Sequence, residues 1–443
     1  MPKMEIHLEI SVPGRRLGVN QVIALFEQIR EQLGQEMAKS YLEQAQDRQL
    51  DEALGARWQD AAQEEAPWSC PECDANQGFN RRGSRRRVLR KTSLGRIEFR
   101  LRQVTCCHCG RTFSPFPDLL DLEPYQASTT EFQFKAVEVA CQTSYARAAR
   151  HLDKLAGVPV SPTTIHRWVQ VQGSRVVFDT AAADGRVTIL DSTKVPAGVK
   201  QRGALLNLGV AIKKRCSEHD RARLHLVPVC FGVGESWKET GQDLEQITPD
   251  RVVFDGDEDI RRWAEQGLPE APKQRGSWHL VNQLYWPLWR DGLRKQQSDP
   301  WLRRLGRILY HSDSDLEQTR KSLQNLIHDL SEAGLHEGAR YLAAAAPYTF
   351  LYRRAPDDIY SDSREDQPFA IMATSPVERQ MREINRRTDV GARWSIPGVY
   401  TIIALDLCRR LDGHQWEDLW QTPTHLVPEH SVANLQISFQ AGA

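Results

Sequence analysis

The chain has 443 residues, 40% of them hydrophobic, and its 58 basic side chains balance its 58 acidic ones. This length allows about two to four domains, and an apolar content that includes 12 tryptophans excludes a wholly disordered chain. The sequence has no run of about 18 apolar residues, and its first residues, MPKMEIHLEI, lack the pattern of a secretory signal. We therefore expect a cytoplasmic protein with no membrane partner, whose nine cysteines are thiols or metal ligands rather than disulfides.

The balanced total charge hides a separation of charge along the chain. Residues 26–65 carry ten acidic and four basic side chains, whereas residues 81–102 carry ten basic side chains and a single acid, Glu98. Because charges act over short distances in salt solution, these local fields decide which partners the protein attracts.

The first predicted domain, residues 1–66, consists of an N-terminal strand followed by an acidic helix. The helix has an apolar face at helical spacing, and such a face either pairs with a partner or packs on the rest of the protein. We expect packing. The residues on this face are Val22, Leu25, Ile29 and Leu33.

Two Cys-x-x-Cys pairs mark the second predicted domain, a zinc ribbon at residues 67–118. Four thiolates from two such pairs, separated by a β-hairpin, form a tetrahedral site for a structural Zn²⁺ ion. The alternative is a hairpin with reduced cysteines and no metal. The predicted ligands are Cys70, Cys73, Cys106 and Cys109, although Cys107 leaves open which of two adjacent cysteines binds.

Between the cysteine pairs, the stretch RRRVLRKTSLGRIEFRLRQV alternates apolar and basic residues, which is typical of a strand pair. Val88, Ile97, Phe99 and Leu101 are predicted to point inward and the arginines outward. Guanidinium groups in a row suit contacts with DNA phosphates, although a merely solvated face is the alternative. The predicted DNA-binding residues here are Arg81, Arg82, Arg85, Arg86, Arg87 and Arg90.

Residues 128–178 follow the order of a helix-turn-helix. A first helix runs to a break near Thr143, a second helix ends in the turn AGVPV, and a third opens with Ser161 as its N-cap. The last helix would enter the major groove of DNA, unless the helices are only structural. It would present Thr163, Thr164, His166 and Arg167.

Beyond residue 180 the pattern changes to strands that end in acidic residues. GRVTILDSTKV predicts a strand with Asp191 at its end, and DRVVFDGDEDI predicts a second with Asp255 at its end. Adjacent strand ends are where an α/β sheet places ligands and metals. Other strands are predicted at LLNLGVAIKK and ARLHLVPVCFGV, and RGSWHL is predicted as a short strand leading to a helix near Val281.

A third acidic residue, Glu378, lies on a predicted amphipathic helix. Val377, Met381 and Ile384 form its apolar stripe, which would pack on the sheet and bring Glu378 over the strand ends. Two aspartates and a glutamate can hold Mg²⁺ or Mn²⁺ ions for phosphodiester chemistry.

Each carboxylate has an alternative. Asp191 could be a purely structural turn cap, and Glu378 could be no more than the ion-pair partner of Arg382. The rivals for Asp255 and Glu378 are Asp257, Glu258, Asp259 and Glu383.

At these residues the chain resembles the insertion-sequence DDE transposases that carry an N-terminal zinc ribbon and helix-turn-helix. The resemblance covers residues 68 to 405, through CPEC, CCHC with TFSPF, SYARAARHL, VSPTTIHRWV, LDSTKV, VVFDGDEDI, VERQMREINRR and RWSIPG. It implies an RNase H-like α/β catalytic domain at residues 184–284 and 371–443, interrupted by a helical insertion at 285–370. It also implies Asp191, Asp255 and Glu378 as the metal-binding catalytic triad.

The expected fold is therefore multidomain, with a small β zinc ribbon, an α-helical helix-turn-helix and an α/β catalytic domain. The resemblance implies an enzyme that binds the terminal inverted repeats of a mobile element and target DNA, as a homo-oligomer near the bacterial or archaeal nucleoid. It would cleave and transfer DNA strands. The alternatives are an inactive or domesticated transposase that only binds DNA, and a nuclease that cleaves without rejoining. The WHL sequence resembles a motif that follows the second aspartate in such enzymes, but assigns no role to His279.

Overall fold

The computed structural model describes residues 18–54, 65–116, 120, 122–123, 125–198, 203–218, 221–310, 315–351, 374–390 and 393–420. The expected N-terminal strand lies outside these residues. The protein is mixed α/β with two sheets and divides into two compact units. The first unit holds the described chain up to Ala140 together with Tyr145–Trp168, and the second holds Cys141–Ser144 and the described residues from Val169 onward. Within the described ranges, every helix is too short or too polar to span a bilayer.

The first unit opens with the long helix α1 (Val19–Leu54), which packs on a three-stranded antiparallel sheet. The sheet consists of the hairpin β1 (Phe79–Thr92) and β2 (Gly95–Cys106) with the short strand β3 (Thr112–Phe113). The acidic helix packs on the sheet as expected, but through Leu42 and Leu50 of its C-terminal half rather than through the predicted face from Val22 to Leu33. The predicted hairpin is present. The core between them includes Leu50, Phe79, Leu89, Ile97, Phe99, Leu101, Val104 and Phe116.

One predicted orientation in the hairpin was wrong. Val88 is paired with the exposed Glu98, whereas Leu89 is paired with the buried Ile97. Opposite residues in an antiparallel pair point to the same face, so Leu89 fills the core in place of Val88. By the same rule Arg87, opposite Phe99, starts on the core side of the sheet.

Side chains of α1 cover the part of the second edge of β2 that β3 leaves unpaired. The fully buried Gln46 donates from Nε2 to the carbonyl oxygen of Arg100 (3.1 Å) and accepts from the amide of Arg102 (2.8 Å). Glu43 accepts from the amide of Arg100 at 2.8 Å. An open sheet edge invites pairing with another chain, and Gln46 closes this one with the hydrogen bonds that a further strand would make.

Three helices follow: α2 (Thr130–Gln142), α3 (Tyr145–Ala156) and α4 (Pro162–Gly173). The predicted break at Thr143 is confirmed. So is the N-cap, because Ser161 Oγ accepts from the amide of Thr164 at 3.1 Å. Within the first unit the hairpin is joined to this helical region by backbone hydrogen bonds from Arg90 and Lys91 to the carbonyl of Ala127.

The second unit is built on a five-stranded mixed sheet in the order β6-β5-β4-β7-β8. Strand β4 pairs antiparallel with β5 and parallel with β7, and β8 is parallel to β7. Both predicted middle strands are present as β5 and β6. The bounds are β4 (Val187–Val195), β5 (Ala204–Glu218), β6 (Arg221–Val233), β7 (Arg251–Phe254) and β8 (Lys273–Arg275).

Helices cover the sheet, which explains why β4 begins as a continuous buried run rather than an alternating one. One core joins the sheet to α5 (Trp237–Thr240) and α6 (Glu258–Gly267) through Trp237 and Trp263. The helices α12 (Ser375–Thr388) and α13 (Ile396–Leu411) pack on β4 and β6, and α14 (Gly413–Asp418) follows.

Between β8 and α12 the second unit contains a separate helical core of leucines. The prediction that RGSWHL forms a strand up to a helix near Val281 was wrong, because the strand ends at Arg275 and the helix already begins at Ser277. Apolar residues at i, i+4 and i+8, such as Leu280, Leu284 and Leu288, explain the helix. The bounds are α7 (Ser277–Gln283), α8 (Tyr285–Arg290), α9 (Lys295–Tyr310), α10 (Leu316–Glu332) and α11 (His336–Ala345).

We predict that Gln46→Ala destabilises the edge of β2, because the carbonyl of Arg100 and the amide of Arg102 lose their partner. The expected cost is about 1–3 kcal/mol, or about 5- to 150-fold faster amide exchange of Arg102 in hydrogen–deuterium exchange. Gln44→Ala is the control, since Gln44 is exposed and bonds only to Ser40 within α1. Equal exchange in both variants would contradict the role given to Gln46.

Candidate functional site

Four cysteine thiols meet at one end of the hairpin. The Sγ atoms of Cys70 and Cys109 are 3.5 Å apart, those of Cys73 and Cys106 are 3.7 Å apart, and all four lie within 4.8 Å of one another. In a tetrahedral site with Zn–S bonds of about 2.3 Å, sulfur atoms lie about 3.8 Å apart. The cluster could therefore hold a metal ion such as zinc. The open choice between Cys106 and its neighbour is resolved, because Cys107 is exposed and outside the cluster.

Tight turns bring each cysteine pair into position. The amide of Asp74 donates a hydrogen bond to the carbonyl of Cys70, and the amide of Gly110 donates one to the carbonyl of Cys106. Gly110 has a φ of +74°, a conformation that glycine adopts without strain.

The crowded thiols titrate differently. Burial would raise the pKa of Cys70, but the amides of Glu72 and Cys73 and the neighbouring thiols lower that pKa to about 7. The Ala75 amide lowers the pKa of Cys73, but desolvation and the three other thiols outweigh it and raise that pKa to about 12. Without a cation the four groups cannot all be thiolates at neutral pH, which is the charge state that metal binding requires.

In the second unit, Asp191 and Asp255 lie side by side. The parallel register of β4 and β7 matches Leu190 with Phe254, so the residue after each is an aspartate. The expectation that Asp191 ends its strand was wrong, because β4 continues to Val195 along β5. What ends at Leu190 is the pairing with β7.

Glu378 comes to the same place from α12. Its helix is fixed by the buried stripe Val377, Met381 and Ile384, as predicted, and by a hydrogen bond of 3.1 Å from Asn385 Nδ2 to Thr193 Oγ1 on β4. Asp255 and Glu378 both contribute to the electrostatic field at Asp191.

Each of the three carboxylates uses one oxygen for an internal hydrogen bond. Asp191 Oδ1 accepts from the amide of Ser192 at 2.8 Å, and Asp255 Oδ1 accepts from the amide of Asp257 at 2.8 Å. Glu378 Oε1 accepts from Thr374 Oγ1 at 2.7 Å and lies 3.0 Å from His279 Nε2. Among the described residues, the second oxygen of each carboxylate accepts no hydrogen bond. These second oxygens are available to a cation or a substrate.

The carboxylates repel one another in a buried place. Asp191 is only 7% exposed, and desolvation together with the negative charge of Asp255 raises its pKa to about 7. Burial also raises the pKa of Asp255, against opposing effects that include the positive charges of His279 and Arg275. Burial alone would raise the pKa of Glu378, but the hydrogen bonds from Thr374 and His279 outweigh it and lower that pKa.

The rivals considered for these positions have other partners. Asp257 is the N-cap of α6, where it accepts from the amides of Asp259 and Ile260. Glu383 is paired with Arg386 on the surface of α12. Glu258 likewise pairs with Arg261 and Arg262 of its own helix.

Sequence reasoning missed two neighbours of the site, His279 and Arg275. His279 is half-buried on α7 and touches Glu378 rather than a core. Arg275 ends β8 opposite Phe254, is 8% exposed, and donates to Gln283 Oε1 (2.7 Å) and to the hydroxyl of Tyr341. No sequence signal pointed to Arg275, because the predicted strand RGSWHL placed this residue at its start, whereas the observed strand ends there.

Gly256 explains how Arg275 reaches Asp255. Its φ is +103°, and a Cβ atom at this position would lie 2.3 Å from Arg275 Nε. The guanidinium group therefore packs directly over the turn that carries Asp255, and only glycine leaves room for it.

The structure separates the arginines predicted to contact DNA into two groups. Arg81 forms an ion pair with Asp51 of α1, and Arg86 forms one with Glu98. Arg87 donates to two backbone carbonyls, those of residues 123 and 126. The acidic helix and Glu98 thus neutralise part of the basic hairpin. The remaining three, Arg82, Arg85 and Arg90, have exposed side chains.

On α4, Thr163, His166 and Arg167 are exposed, whereas Thr164 is half-buried and shares a hydrogen bond of 2.8 Å with Ser161. His166 also packs edge-on against the ring of Tyr145.

A cluster of positive charge forms where the hairpin meets α4 within the first unit. Lys91 lies 5.6 Å above the ring of Trp168, and its pKa is lowered by burial and by the positive charges of Arg90 and Arg167. Two predicted DNA-binding residues from separate motifs, Arg90 and Arg167, are therefore close enough to repel a third cation. An anion such as a phosphate relieves this repulsion.

No protein-family model matches the sequence, and no curated protein matches it either.

We predict that the purified protein contains one zinc ion per chain by elemental analysis. Cys70→Ser or Cys106→Ser should lose the metal and unfold the hairpin, because the site then has three thiolates. Cys107→Ser is the matched control and should keep the metal. Zinc retained in Cys106→Ser but lost in Cys107→Ser would contradict the assignment.

Proposed function

We propose that this protein is a DDE-type DNA transposase, which binds the ends of a mobile element and catalyses metal-dependent cleavage and transfer of DNA strands. The observation that carries the proposal is the meeting of Asp191, Asp255 and Glu378, which are 187 positions apart in the chain at their extremes, around one buried place. Three carboxylates with free second oxygens, two of which have a raised pKa, form an acidic site.

The mixed sheet supports the RNase H-like catalytic core that the sequence resemblance implies. The two aspartates stand beside one another on parallel strands, and the glutamate comes from a helix packed on the same sheet. The helical region from α7 to α11 lies in the sequence between Asp255 and Glu378, where the resemblance implies an insertion.

The donor set fits Mg²⁺ or Mn²⁺. All the donors are hard carboxylate oxygens, and a divalent cation would compensate the repulsion that raises the pKa of Asp191. The ligand atoms of the three carboxylates do not all lie within 4.8 Å of one another, and in the proposed site they would hold two such ions between them. Such ions would activate the attacking oxygen and stabilise the leaving oxygen of a phosphodiester.

The chain's own residues orient these ligands. His279 and Thr374 both form hydrogen bonds with Oε1 of Glu378. These two bonds fix the orientation of the carboxylate and leave Oε2 free for a ligand. Arg275 offsets part of the charge of Asp255 and limits how far this carboxylate must be neutralised by protons. Preorganised ligands of this kind need no rearrangement during the reaction.

DNA recognition is proposed for the first unit. The zinc ribbon presents Arg82, Arg85 and Arg90, and α4 presents Arg167 beside Arg90. Phosphate contacts by such side chains fix a protein on the duplex, and the exposed Thr163 and His166 would read bases.

The carboxylates are expected to act as a unit, so Asp191→Asn, Asp255→Asn and Glu378→Gln should each abolish cleavage. The substrate is a supercoiled plasmid carrying the DNA that flanks the gene on both sides, incubated with Mg²⁺, with products mapped at nucleotide resolution. Each variant should also lose Mn²⁺ affinity in isothermal titration calorimetry.

Matched controls exchange an acid for its amide outside the site. Glu383→Gln and Asp259→Asn change exposed residues, and Asp257→Asn keeps the N-cap, because asparagine caps as well as aspartate. All three should cleave like the wild type. If the wild type binds the end DNA but never cuts it, the protein is a DNA-binding protein derived from a transposase; cutting without strand transfer would indicate a nuclease.

The DNA-binding surface is tested through its salt dependence. Arg90→Ala combined with Arg167→Ala should lower the slope of log affinity against log salt concentration by about 2, because each phosphate contact contributes about 0.9. Arg86→Ala is the control and should leave the slope unchanged, since Glu98 already neutralises Arg86. An equal effect of both changes would place the DNA elsewhere.

A further inference from the structure

Three exposed tryptophans line one face of a helix beside the carboxylate site. Trp278, Trp286 and Trp289 are 55%, 59% and 57% exposed, whereas every other tryptophan in the described part of the chain is buried or half-buried. Large aromatic rings are costly to leave in water, so three of them together indicate a contact surface.

The tryptophans share a face because α7 and α8 form a nearly continuous helix. Leu284, between the two helices, has right-handed helical backbone angles. At 100° per residue, Trp278, Trp286 and Trp289 fall on the side opposite to the buried Leu280, Leu284 and Leu288. Core packing therefore does not account for the tryptophans.

This surface is also basic. The basic residues that follow Trp289 closely in the chain, Arg290, Arg294 and Lys295, are exposed. The one acidic side chain between them, Asp291, accepts hydrogen bonds from the amides at the start of α11 and is half-buried. Exposed aromatic rings beside uncompensated cations suit a partner that has flat apolar groups on an anionic backbone.

The aromatic surface begins at the carboxylates. The ring of Trp278 lies 4.9 Å from the ring of His279, and His279 Nε2 lies 3.0 Å from Glu378 Oε1. Along the helix the surface continues to Trp286 and Trp289, whose rings meet edge to face at 6.4 Å.

We infer that the face formed by Trp278, Trp286, Trp289, Arg290, Arg294 and Lys295 binds single-stranded DNA, with unpaired bases stacked on the indole rings and phosphates on the cations. In a duplex the bases already stack on one another. Of the two forms of DNA, only the single strand therefore has bases free to stack on these rings. The inference rests on the proposed function, because it makes this strand the continuation of the one held at the carboxylates.

Binding is tested without cleavage, in buffer with no added Mg²⁺. The probes are a labelled oligodeoxythymidylate of about 12 nucleotides and a duplex of the same length, each titrated with the full-length protein. Trp286→Ala with Trp289→Ala should weaken single-strand binding by about tenfold or more, because each stacked base contributes substantially, and duplex binding should not change. Trp286→Phe with Trp289→Phe should restore most of the affinity.

The control is Tyr310→Ala, which removes an exposed aromatic ring at the opposite end of α9 from Lys295 and should change neither affinity. Equal single-strand affinity of the wild type and the alanine variant would overturn the inference, as would an equal loss for the duplex. Sedimentation that finds a wild-type dimer and a monomeric alanine variant would assign the face to self-association instead. Because single-strand binding is measured without Mg²⁺ and cleavage is measured with it, a failure of stacking is distinguishable from a failure of the catalytic proposal.

Discussion

The second unit depends on the parallel pairing of β4 with β7. This register sets Leu190 against Phe254 and so places the buried Asp191 beside the half-buried Asp255. Folding places like charges where water cannot screen them, and the raised pKa of Asp191 is the result. A cation bound there, as proposed, would offset this electrostatic cost.

In the first unit, hydrogen bonds and ion pairs from α1 stabilise the hairpin in addition to its small core. Its hairpin is long, strongly basic and open at one edge. Gln46 supplies the missing edge hydrogen bonds, and nearby acids of α1 pair with arginines of both strands. A metal in the four-cysteine cluster would fasten the other end. The same helix that stabilises the hairpin also limits its positive field to the arginines that remain exposed.

Much of this was predictable from local sequence patterns. The spacing of Cys70 to Cys109, the cap at Ser161 and the stripe from Val377 to Ile384 each follow from short-range geometry, and the structure agrees with them. Long-range pairing was not predictable: neither the contact of His279 with Glu378 nor the neutralisation of Arg81 by Asp51 leaves a periodic signal. The error at Val88 arose because the strand register, and not the alternation alone, decides which face a residue joins.

Arg275 links the carboxylate site to the helical region of the second unit. Its guanidinium group lies against the turn at Gly256 on one side, while its other side stacks 4.7 Å above the ring of Tyr341 on α11. One buried cation is thus shared between the field at Asp255 and the packing of the helical region. Neutralising Asp255 would weaken its attraction for Arg275 and so change the packing of Arg275 on Tyr341. Because coupling between two sites is reciprocal, displacing α11 would change the electrostatic field at Asp255 by the same free energy. A change in the position of the leucine-rich helices would therefore change the pKa of Asp255.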